Sequence, residues 1–316
     1  MDVTEASANC ETVLDEIADA IICDREFLET VLIGILAQGH VLLEDVPGTG
    51  KTLTARSVAT ALGLSFSRIQ FTPDLLPTDI TGTHIFDESQ QSFTFNEGPL
   101  FANLILADEI NRAPPKTQAA LLEAMEEGQV SIGGKTRQLP QPFIVIATQN
   151  PVENKGTFPL PEAQIDRFLV KASIGYPDES GELEMIHQRN DRERVSPSVD
   201  TVLDNKRVAT LRQVPETIYV DNDLIEYVVT LARETRTDNR VEVGVSPRGT
   251  QRLFEATRAH AILRSRSHAV PNDVKCVSHP VLTHRLVLTP EATVNNVTKE
   301  QVIESILDTM QVPILE

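Results

Sequence analysis

The chain has 316 residues, of which 41% are hydrophobic, and its 46 acidic and 28 basic residues give a formal net charge of −18. This length is sufficient for two domains with a sizeable core, and the composition excludes a disordered or fibrous protein. The acid excess argues against a general nucleic-acid-binding protein, which usually presents a basic face. No run approaches the roughly 18 apolar residues that a membrane-spanning helix needs.

Lysine is scarce relative to arginine, since only eight of the 28 basic residues are lysine. Acid excess with few lysines indicates a cytoplasm rich in salt, where screening reduces self-repulsion; an acidic surface that binds basic partners is the alternative. The start of the chain lacks the basic and apolar regions of a signal peptide, so we expect a cytoplasmic protein. Cys10, Cys23 and Cys276 are odd in number and lack metal-binding spacing, which argues against disulfides and zinc.

The first recognisable motif follows a helical stretch. Apolar residues recur at helical spacing over residues 2–38, and His40–Leu43 is typical of a buried strand. A glycine-rich turn and then a helical pattern over 53–62 come next, and strand, turn and helix in this order predict a phosphate-binding loop. The residues expected to contact the nucleotide are Pro47, Gly48, Thr49, Gly50, Lys51 and Thr52.

The chemistry of such a loop is direct. Its backbone N–H groups point at an anion, and the helix N-terminus adds a favourable dipole. Lys51 can reach the β- and γ-phosphates of ATP, and the hydroxyl of Thr52 can ligate Mg²⁺. The strict motif has a further glycine where this chain has Asp45. Asp45 is either a harmless replacement at the entry of the loop or a brake on phosphate binding.

Two further strands and a hairpin are predicted before the second motif. Residues 65–71 alternate like a strand, and 84–86 with 92–95 read as a hairpin inserted into a helical region. Leu104–Ala107 is a buried parallel strand that ends in Asp108 and Glu109. Asp108 can hold Mg²⁺, and Glu109 can polarise a water molecule for attack on the γ-phosphate, although solvated acids at a strand end would look the same.

The next strand also ends in a polar side chain. A helix over 118–127 and a second hairpin around Gly133 and Gly134 lead to a buried strand over 143–148. Asn150 follows this strand and can orient the same water molecule. Asn also favours turns before proline, so both interpretations of Asn150 remain open.

Two arginines complete the candidate site. Arg167 can neutralise charge on a transferring phosphoryl group, in cis or from a neighbouring subunit; an ion pair with Asp166 or Glu162 is the alternative. Ser246 and Pro247 place Arg248 at a helix start, where the helix dipole disfavours a cation, which indicates that Arg248 meets an anion. A surface arginine without a role is the alternative.

The chain divides into three parts. Residues 1–38 are N-terminal helices packed on the core, 39–195 a nucleotide-binding α/β core, and 196–316 a helical domain without a strong strand. The expected fold class is α/β, with a three-layer parallel-sheet domain followed by a small all-α lid.

The motifs together resemble the AAA+ ATPases of the MoxR type. The resemblance runs from about residue 25 into the C-terminal region, and its most specific stretches are Arg68–Gly82 and Asp108–Lys116. Other stretches that carry it are the phosphate loop, Ala147–Pro151 and Leu160–Phe168.

The resemblance implies a role for each polar residue. Asp108 would be the Walker B acid associated with Mg²⁺, Glu109 the catalytic base and Asn150 sensor 1. Arg167 would be the finger supplied to the neighbouring subunit's ATP, and Arg248 sensor 2 in the lid. The segments 82–98 and 128–139 are similar to the helix-2 insertion and the pre-sensor-1 hairpin, which usually face the pore of a ring.

The resemblance also implies an ATP-hydrolysing ring, a hexamer by analogy, with a chaperone-like role in remodelling protein partners. Such partners often carry a von Willebrand factor A domain. Two alternatives remain open, namely a nucleotide-gated binding switch without continuous turnover and an AAA+ motor acting on nucleic acid. The hairpins carry Lys135 and Arg137 but also Asp87, Glu88 and Glu97, so a basic stripe for nucleic acid is poorly supported.

Overall fold

The structure is a computed structural model that describes residues 1–89, 91–150, 156–191 and 197–314. Pro151, which closes one of the motif stretches, and the expected boundary between residues 195 and 196 lie outside the described ranges. No helix within those ranges is both long and apolar enough to cross a lipid bilayer.

Eleven strands occur in the described part of the chain, and several have fewer than five residues. In chain order they are β1 (Val41–Glu44), β2 (Phe66–Gln70), β3 (Gly82–Asp87), β4 (Ser92–Glu97), β5 (Leu104–Asp108), β6 (Gln129–Ile132), β7 (Lys135–Gln138), β8 (Ile144–Gln149), β9 (Val170–Ala172), β10 (Val241–Val243) and β11 (Val287–Leu288).

The helices connect and cover these strands. They are α1 (Val3–Ala18), α2 (Arg25–Leu36), α3 (Lys51–Ala61), α4 (Pro77–Thr81), α5 (Pro115–Glu127), α6 (Glu162–Ile165), α7 (Glu179–Asp191), α8 (Asn205–Leu211), α9 (Asn222–Thr237), α10 (Pro247–Leu263), α11 (Pro271–Leu282), α12 (Pro290–Val294) and α13 (Lys299–Thr309). Short 3₁₀ turns occur at Ile110–Arg112, Val214–Thr217 and Thr283–Arg285.

Five parallel strands form the central sheet, in the order β2-β5-β8-β1-β9. Gln70 is paired with Asp108, and Glu44 with Gln149, so the last residues of neighbouring strands lie side by side. We call the edge where these five strands end the carboxyl edge, and the edge where they begin the amino edge. Loops at the carboxyl edge of a parallel sheet are where ligands bind in α/β proteins.

Both faces of the sheet are covered, because side chains alternate along each strand. Leu104 and Leu106 of β5 belong to a hydrophobic core shared with α1, α2, α3 and the C-terminal helices. Ile105 and Ala107 of the same strand belong to a second core with α5 on the opposite face. These two cores make three layers, so the predicted three-layer α/β domain is confirmed.

The two predicted hairpins lie outside the central sheet. Strands β3 and β4 form one antiparallel pair, and β6 and β7 form the other. The hairpins contact each other, since the guanidinium carbon of Arg137 lies 3.9 Å from the ring centre of Phe95. The prediction of inserted hairpins, rather than core strands, is confirmed.

The C-terminal domain is helical, with α10 and α11 packed together and α9 against α10. It is not all-α, because β10 and β11 form a short antiparallel ribbon. A two- or three-residue strand is too short to show the alternation that reveals strands in a sequence. Strand β9, the fifth strand of the central sheet, was not predicted for the same reason, because it has three residues.

Candidate nucleotide-binding site

The phosphate loop connects β1 to α3 at the carboxyl edge. Gly48 and Gly50 have φ values of +90° and +93°, a region that glycine adopts without strain. A Cβ atom built on either glycine would meet no other atom within 4 Å, so the loop borders open space. Lys51 and Thr52 form the first turn of α3, whose free N–H groups and dipole favour an anion. The loop therefore has the backbone shape that phosphates require.

Lys51 is held at the centre of the site. Its Nζ donates hydrogen bonds to the carbonyl oxygens of Asp45 and Val46, at 2.7 Å and 3.0 Å. Burial lowers the pKa of Lys51, and the negative charges of Asp45, Asp108 and Glu109 oppose that shift. The acids predicted from two separate motifs thus lie close enough to Lys51 to act on its charge.

Asp45 is buried, and its carboxylate is engaged with the chain that leaves β9. Oδ1 accepts hydrogen bonds from Ser173 Oγ at 2.8 Å and from Gly175 N at 3.1 Å. Oδ2 accepts one from Ile174 N at 2.5 Å. By accepting these three hydrogen bonds, the Asp45 carboxylate anchors the segment 173–175 beside the phosphate loop.

Asp108 is fixed by two neighbouring strands. Its Oδ1 accepts a hydrogen bond from Thr148 Oγ1 of β8 at 2.7 Å. Its Oδ2 accepts two from Arg68 of β2, Nη2 at 2.6 Å and Nε at 3.1 Å. These contacts fix the orientation of both carboxylate oxygens at the carboxyl edge, and a carboxylate is a ligand type that suits Mg²⁺.

Glu109 is turned out of the strand direction. Its φ of +58° is uncommon for a residue with a side chain, and such strain is often found at functional sites. The N–H of Glu109 donates to Thr148 Oγ1 at 2.8 Å. Its Oε2 accepts a hydrogen bond from Gln70 Nε2 at 2.7 Å and lies 3.3 Å from Arg112 Nε. The carboxylate is therefore held in place next to the site.

Asn150 is buried directly after β8. The pairing of β8 with β5 places it at the carboxyl edge, as Asp108 and Glu109 are. This location is compatible with the predicted water-orienting role, which stays a prediction.

The two candidate arginines meet at Glu126 near the end of α5. Arg167 Nη2 lies 3.0 Å from Glu126 Oε2, and Arg248 Nη1 lies 3.1 Å from Glu126 Oε1. Arg167 Nη1 also donates to the carbonyl oxygen of Leu122 at 2.6 Å. The alternative ion pair of Arg167 with Asp166 does not form, since Asp166 is paired with Arg285 at 2.7 Å.

This arginine pair lies at the amino edge, away from the loop of the same chain. Met125, next to Glu126, has its carbonyl oxygen 3.0 Å from His40 Nε2, and His40 immediately precedes β1. The phosphate loop follows β1 at its other end. The structure therefore brings Lys51, Asp108 and Glu109 together at one edge of the sheet and Arg167 with Arg248 at the other.

Sequence reasoning missed four side chains that support these groups: Arg68, Gln70, Glu126 and Thr148. Arg68 and Gln70 are two positions apart near the carboxyl end of β2, and Gln70 is paired with Asp108 of β5. Polar residues at the end of a predicted strand were therefore the available signal. Glu126 carried no signal, because a glutamate on a helix is usually solvated.

A cavity of about 340 Å³ opens beside the loop, between α2, the end of β9 and the lid helix α11. Phe27, Ser173 and Pro280 are among its lining residues. Ser173 also donates to Asp45, so this cavity adjoins the entry of the phosphate loop.

Comparisons with known proteins agree with this geometry. Residues 40–170 match the ATPase family associated with various cellular activities (AAA), and residues 233–306 match the AAA lid domain. Chaperone MoxR1 of Mycobacterium tuberculosis is 43% identical over 312 residues, covering 96% of this chain and 82% of that protein. The uncharacterized protein YeaC of Bacillus subtilis is 42% identical over 301 residues, covering 95% and 94%.

A solved structure is also similar. The crystal structure of a candidate ATPase from Cytophaga hutchinsonii has a TM-score of 0.91 and 37% sequence identity, covering 99% of this chain and 97% of that one. A likeness at this identity extends through both the α/β core and the helical lid.

Proposed function

The chain belongs to the MoxR family of AAA+ ATPases, and we propose that it hydrolyses ATP and uses the energy in a chaperone-like role on protein partners. The observation that carries the proposal is the grouping of Lys51, Asp108 and Glu109 around one phosphate loop at the carboxyl edge. Phosphoryl transfer needs positioning and charge stabilisation more than covalent chemistry, and these residues supply both.

The residues fit Mg²⁺ and ATP. The open cradle at Gly48 and Gly50 suits the phosphates, and Thr52 with Asp108 would hold the metal ion. When bound, Mg²⁺ would neutralise phosphate charge. Lys51 would leave the carbonyl oxygens of Asp45 and Val46 for the β- and γ-phosphates. The base and ribose would enter the neighbouring cavity between α2 and α11.

The reaction follows from the placement of Glu109. A water molecule donates its proton to the Glu109 carboxylate while its oxygen forms a bond to the γ-phosphorus. The bond from that phosphorus to the bridging oxygen breaks, and ADP and inorganic phosphate result. Gln70 and Arg112 hold the carboxylate, and Asn150 would orient the water.

The arginine pair completes the site of another copy. Arg167 and Arg248 lie at the amino edge, so the loop of their own chain is at the opposite edge of the sheet. We propose that both contact the ATP of the next subunit in a ring, which would be hexameric as AAA+ rings usually are. Pairing on Glu126 keeps the two guanidinium groups side by side before the phosphate arrives.

The partner is proposed from the relatives. One relative is named a chaperone, which supports protein partners. The resemblance to MoxR-type ATPases makes a protein with a von Willebrand factor A domain the candidate class. A binding switch without turnover and a nucleic-acid motor are the competing functions. Glu109 and Arg167 would be unnecessary in a switch, so turnover is the better-supported proposal.

Glu109→Gln tests the function directly. The change removes the proton acceptor but keeps the shape, so ATP binding should persist while the hydrolysis rate falls by at least about a hundredfold. Steady-state phosphate release and nucleotide titration measure the two effects. Glu127→Gln, a neutralisation at an exposed position of α5, is the matched control and should retain the wild-type rate.

The same variant distinguishes the competing functions. With ATP bound but not hydrolysed, Glu109→Gln should retain a protein partner in a pull-down. Equally negligible hydrolysis by wild type and Glu109→Gln would favour the switch. Tight, salt-sensitive binding of labelled DNA would favour the nucleic-acid motor.

A further inference from the structure

A second cavity lies at the amino edge, where the core meets the lid. It has a volume of about 250 Å³ and is bordered by the end of α2, the segment after α8 and the face of α10. Residues 36–38 line it and precede β1, whereas the phosphate loop follows β1. The cavity is therefore separate from the proposed ATP site of the same chain. Its charged or amide side chains are Gln38, Arg212, Glu216, Arg252, Glu255 and Arg258.

Arg212 is the distinctive residue of this cavity. It is only 8% exposed, and its Nε donates to the carbonyl oxygen of Ile35 at 3.0 Å. Within the described part of the chain, its two terminal nitrogens have no hydrogen-bond acceptor and no carboxylate lies within ion-pair distance. Burial lowers the pKa of Arg212 to about 10, so the guanidinium is still charged at neutral pH. A buried cation without a partner is unfavourable unless something neutralises it.

The other charges that line the cavity are already neutralised in pairs. Arg252 Nη1 lies 2.7 Å from Glu255 Oε2, and Arg258 Nη1 lies 2.9 Å from Glu216 Oε2. The lining therefore carries one excess positive charge, and that charge is on Arg212. Because Nε of Arg212 already donates to Ile35 of α2, the two terminal nitrogens are the donors that remain for a ligand.

We propose that this cavity binds one small oxyanion, of the phosphate or carboxylate class, on the guanidinium group of Arg212. The flat pair of terminal N–H groups matches two oxygens of an oxyanion, and this bidentate contact is one that a halide ion cannot make. One bound anion would join α2 of the core to α10 of the lid. Helix α10 also carries Arg248, so the ligand would stabilise the edge that holds the arginine pair.

Inorganic phosphate is the probe, and the full-length Lys51→Ala variant is the background in which the phosphate loop is disabled. We expect phosphate to raise the unfolding temperature of this variant in thermal denaturation, because a ligand that binds only the folded state stabilises it. Acetate serves as the carboxylate probe and chloride at matched ionic strength as the salt control. A rise with phosphate alone, or with acetate as well, identifies which oxyanion the cavity accepts.

Arg212→Met in the same background should abolish the response to phosphate. Without phosphate, this double variant should unfold at the same or a higher temperature than Lys51→Ala, because an unpaired buried charge has been removed. Arg207→Met, at an exposed arginine 2.9 Å from Glu5, is the matched control and should keep the response.

Arg212→Lys provides a second test if Arg212→Met does not fold. It keeps the charge but loses the bidentate contact, so the apparent dissociation constant for phosphate should rise about tenfold. An equal rise of the unfolding temperature with chloride, no rise with phosphate or acetate in Lys51→Ala, or a full response in Arg212→Met would each overturn the proposal.

Discussion

At the scale of single residues, Asp45 answers a question that the motif alone leaves open. The strict loop motif has glycine at this position, and a carboxylate there could repel phosphate. In the structure the carboxylate instead accepts hydrogen bonds from Ser173, Ile174 and Gly175. The hydrogen bond from Lys51 goes to the main-chain carbonyl oxygen of Asp45, and the carboxylate acts on Lys51 through its charge. Asp45 is thus an anchor for the chain that leaves β9.

Asp45→Gly should therefore not tighten nucleotide binding. The change leaves the buried N–H group of Ile174 and the half-buried N–H group of Gly175 without an acceptor, so we expect the free energy of unfolding to fall by about 3 kcal/mol. Urea denaturation and a titration with labelled ADP measure the two quantities. Asp45→Asn keeps one carbonyl oxygen and should lose less stability. A tenfold gain in ADP affinity for Asp45→Gly would identify Asp45 as a brake.

At the scale of elements, His40 joins the start of β1 to two neighbouring elements. Its Nδ1 accepts a hydrogen bond from Val145 N at 3.0 Å, and its Nε2 donates to Met125 O at 3.0 Å. This pattern suits the neutral ring alone, because a proton on Nδ1 would face the Val145 N–H group. Burial lowers the pKa of His40 to about 4, and the charges of Arg212 and Arg252 act in the same direction.

The depressed pKa predicts a loss of stability in acid. Between about pH 6.5 and pH 4 the unfolded chain binds a proton at His40 that the folded chain does not, so the free energy of unfolding falls as the pH falls. For His40 this loss is about 2 kcal/mol from pH 7 to pH 5. Urea denaturation of wild type and His40→Gln at both pH values isolates it.

The control for this comparison comes from a second buried histidine. The pKa of His284 is also lowered by burial, so part of the acid sensitivity should remain in His40→Gln. Identical pH dependence of stability in wild type and His40→Gln would contradict the assignment to His40.

At the scale of the whole molecule, the proposed catalytic groups are divided between two edges of one sheet. Lys51, Asp108 and Glu109 are at the carboxyl edge, and Arg167 and Arg248 share Glu126 at the amino edge. Within one chain of this structure, the arginine pair and the phosphate loop therefore lie at opposite edges of the same sheet. The ring that we propose, in which the amino edge of one subunit faces the carboxyl edge of the next, would bring the two halves of the site together.

Mixing two inactive variants tests the ring. Lys51→Ala lacks the loop contact but keeps the arginines, and Arg167→Ala has the reverse defect, so each alone should hydrolyse ATP negligibly. An equal mixture that exchanges subunits at random should recover roughly a quarter of the wild-type rate, because that share of interfaces has an intact loop and an intact finger. Phosphate release measures the rate.

Two controls accompany the mixing experiment. Arg167→Ala alone should still bind ATP at its intact loop, and Lys51→Ala mixed with Glu109→Gln should stay inactive, because both defects lie on the loop side. Subunit exchange would be shown independently. If the mixture of Lys51→Ala and Arg167→Ala then recovered no activity, Arg167 would have a structural role in its own chain and no role in the neighbour's ATP site.

Much of the fold was predictable because its signals are local. The buried runs of β5 and β8, the alternation of β2 and the helical periodicities of α9 and α10 all lie in contiguous stretches. The short β9, β10 and β11 were not predicted, because two or three residues cannot show a period. Their strand conformation depends on partners that are distant in the sequence, such as β1 for β9.

The sequence by itself determined the nucleotide-binding loop, the acids at the end of β5, the three-layer α/β core and the helical lid. Each follows from neighbouring residues whose spacing directly expresses backbone geometry. Only the tertiary structure decided where the Asp45 carboxylate lies and that Arg167 and Arg248 meet on Glu126. It alone also decided that the buried Arg212 pairs with no carboxylate among the residues that the structure describes. Contacts of this kind join side chains from about 40 to more than 120 positions apart, and no local period encodes which of them meet.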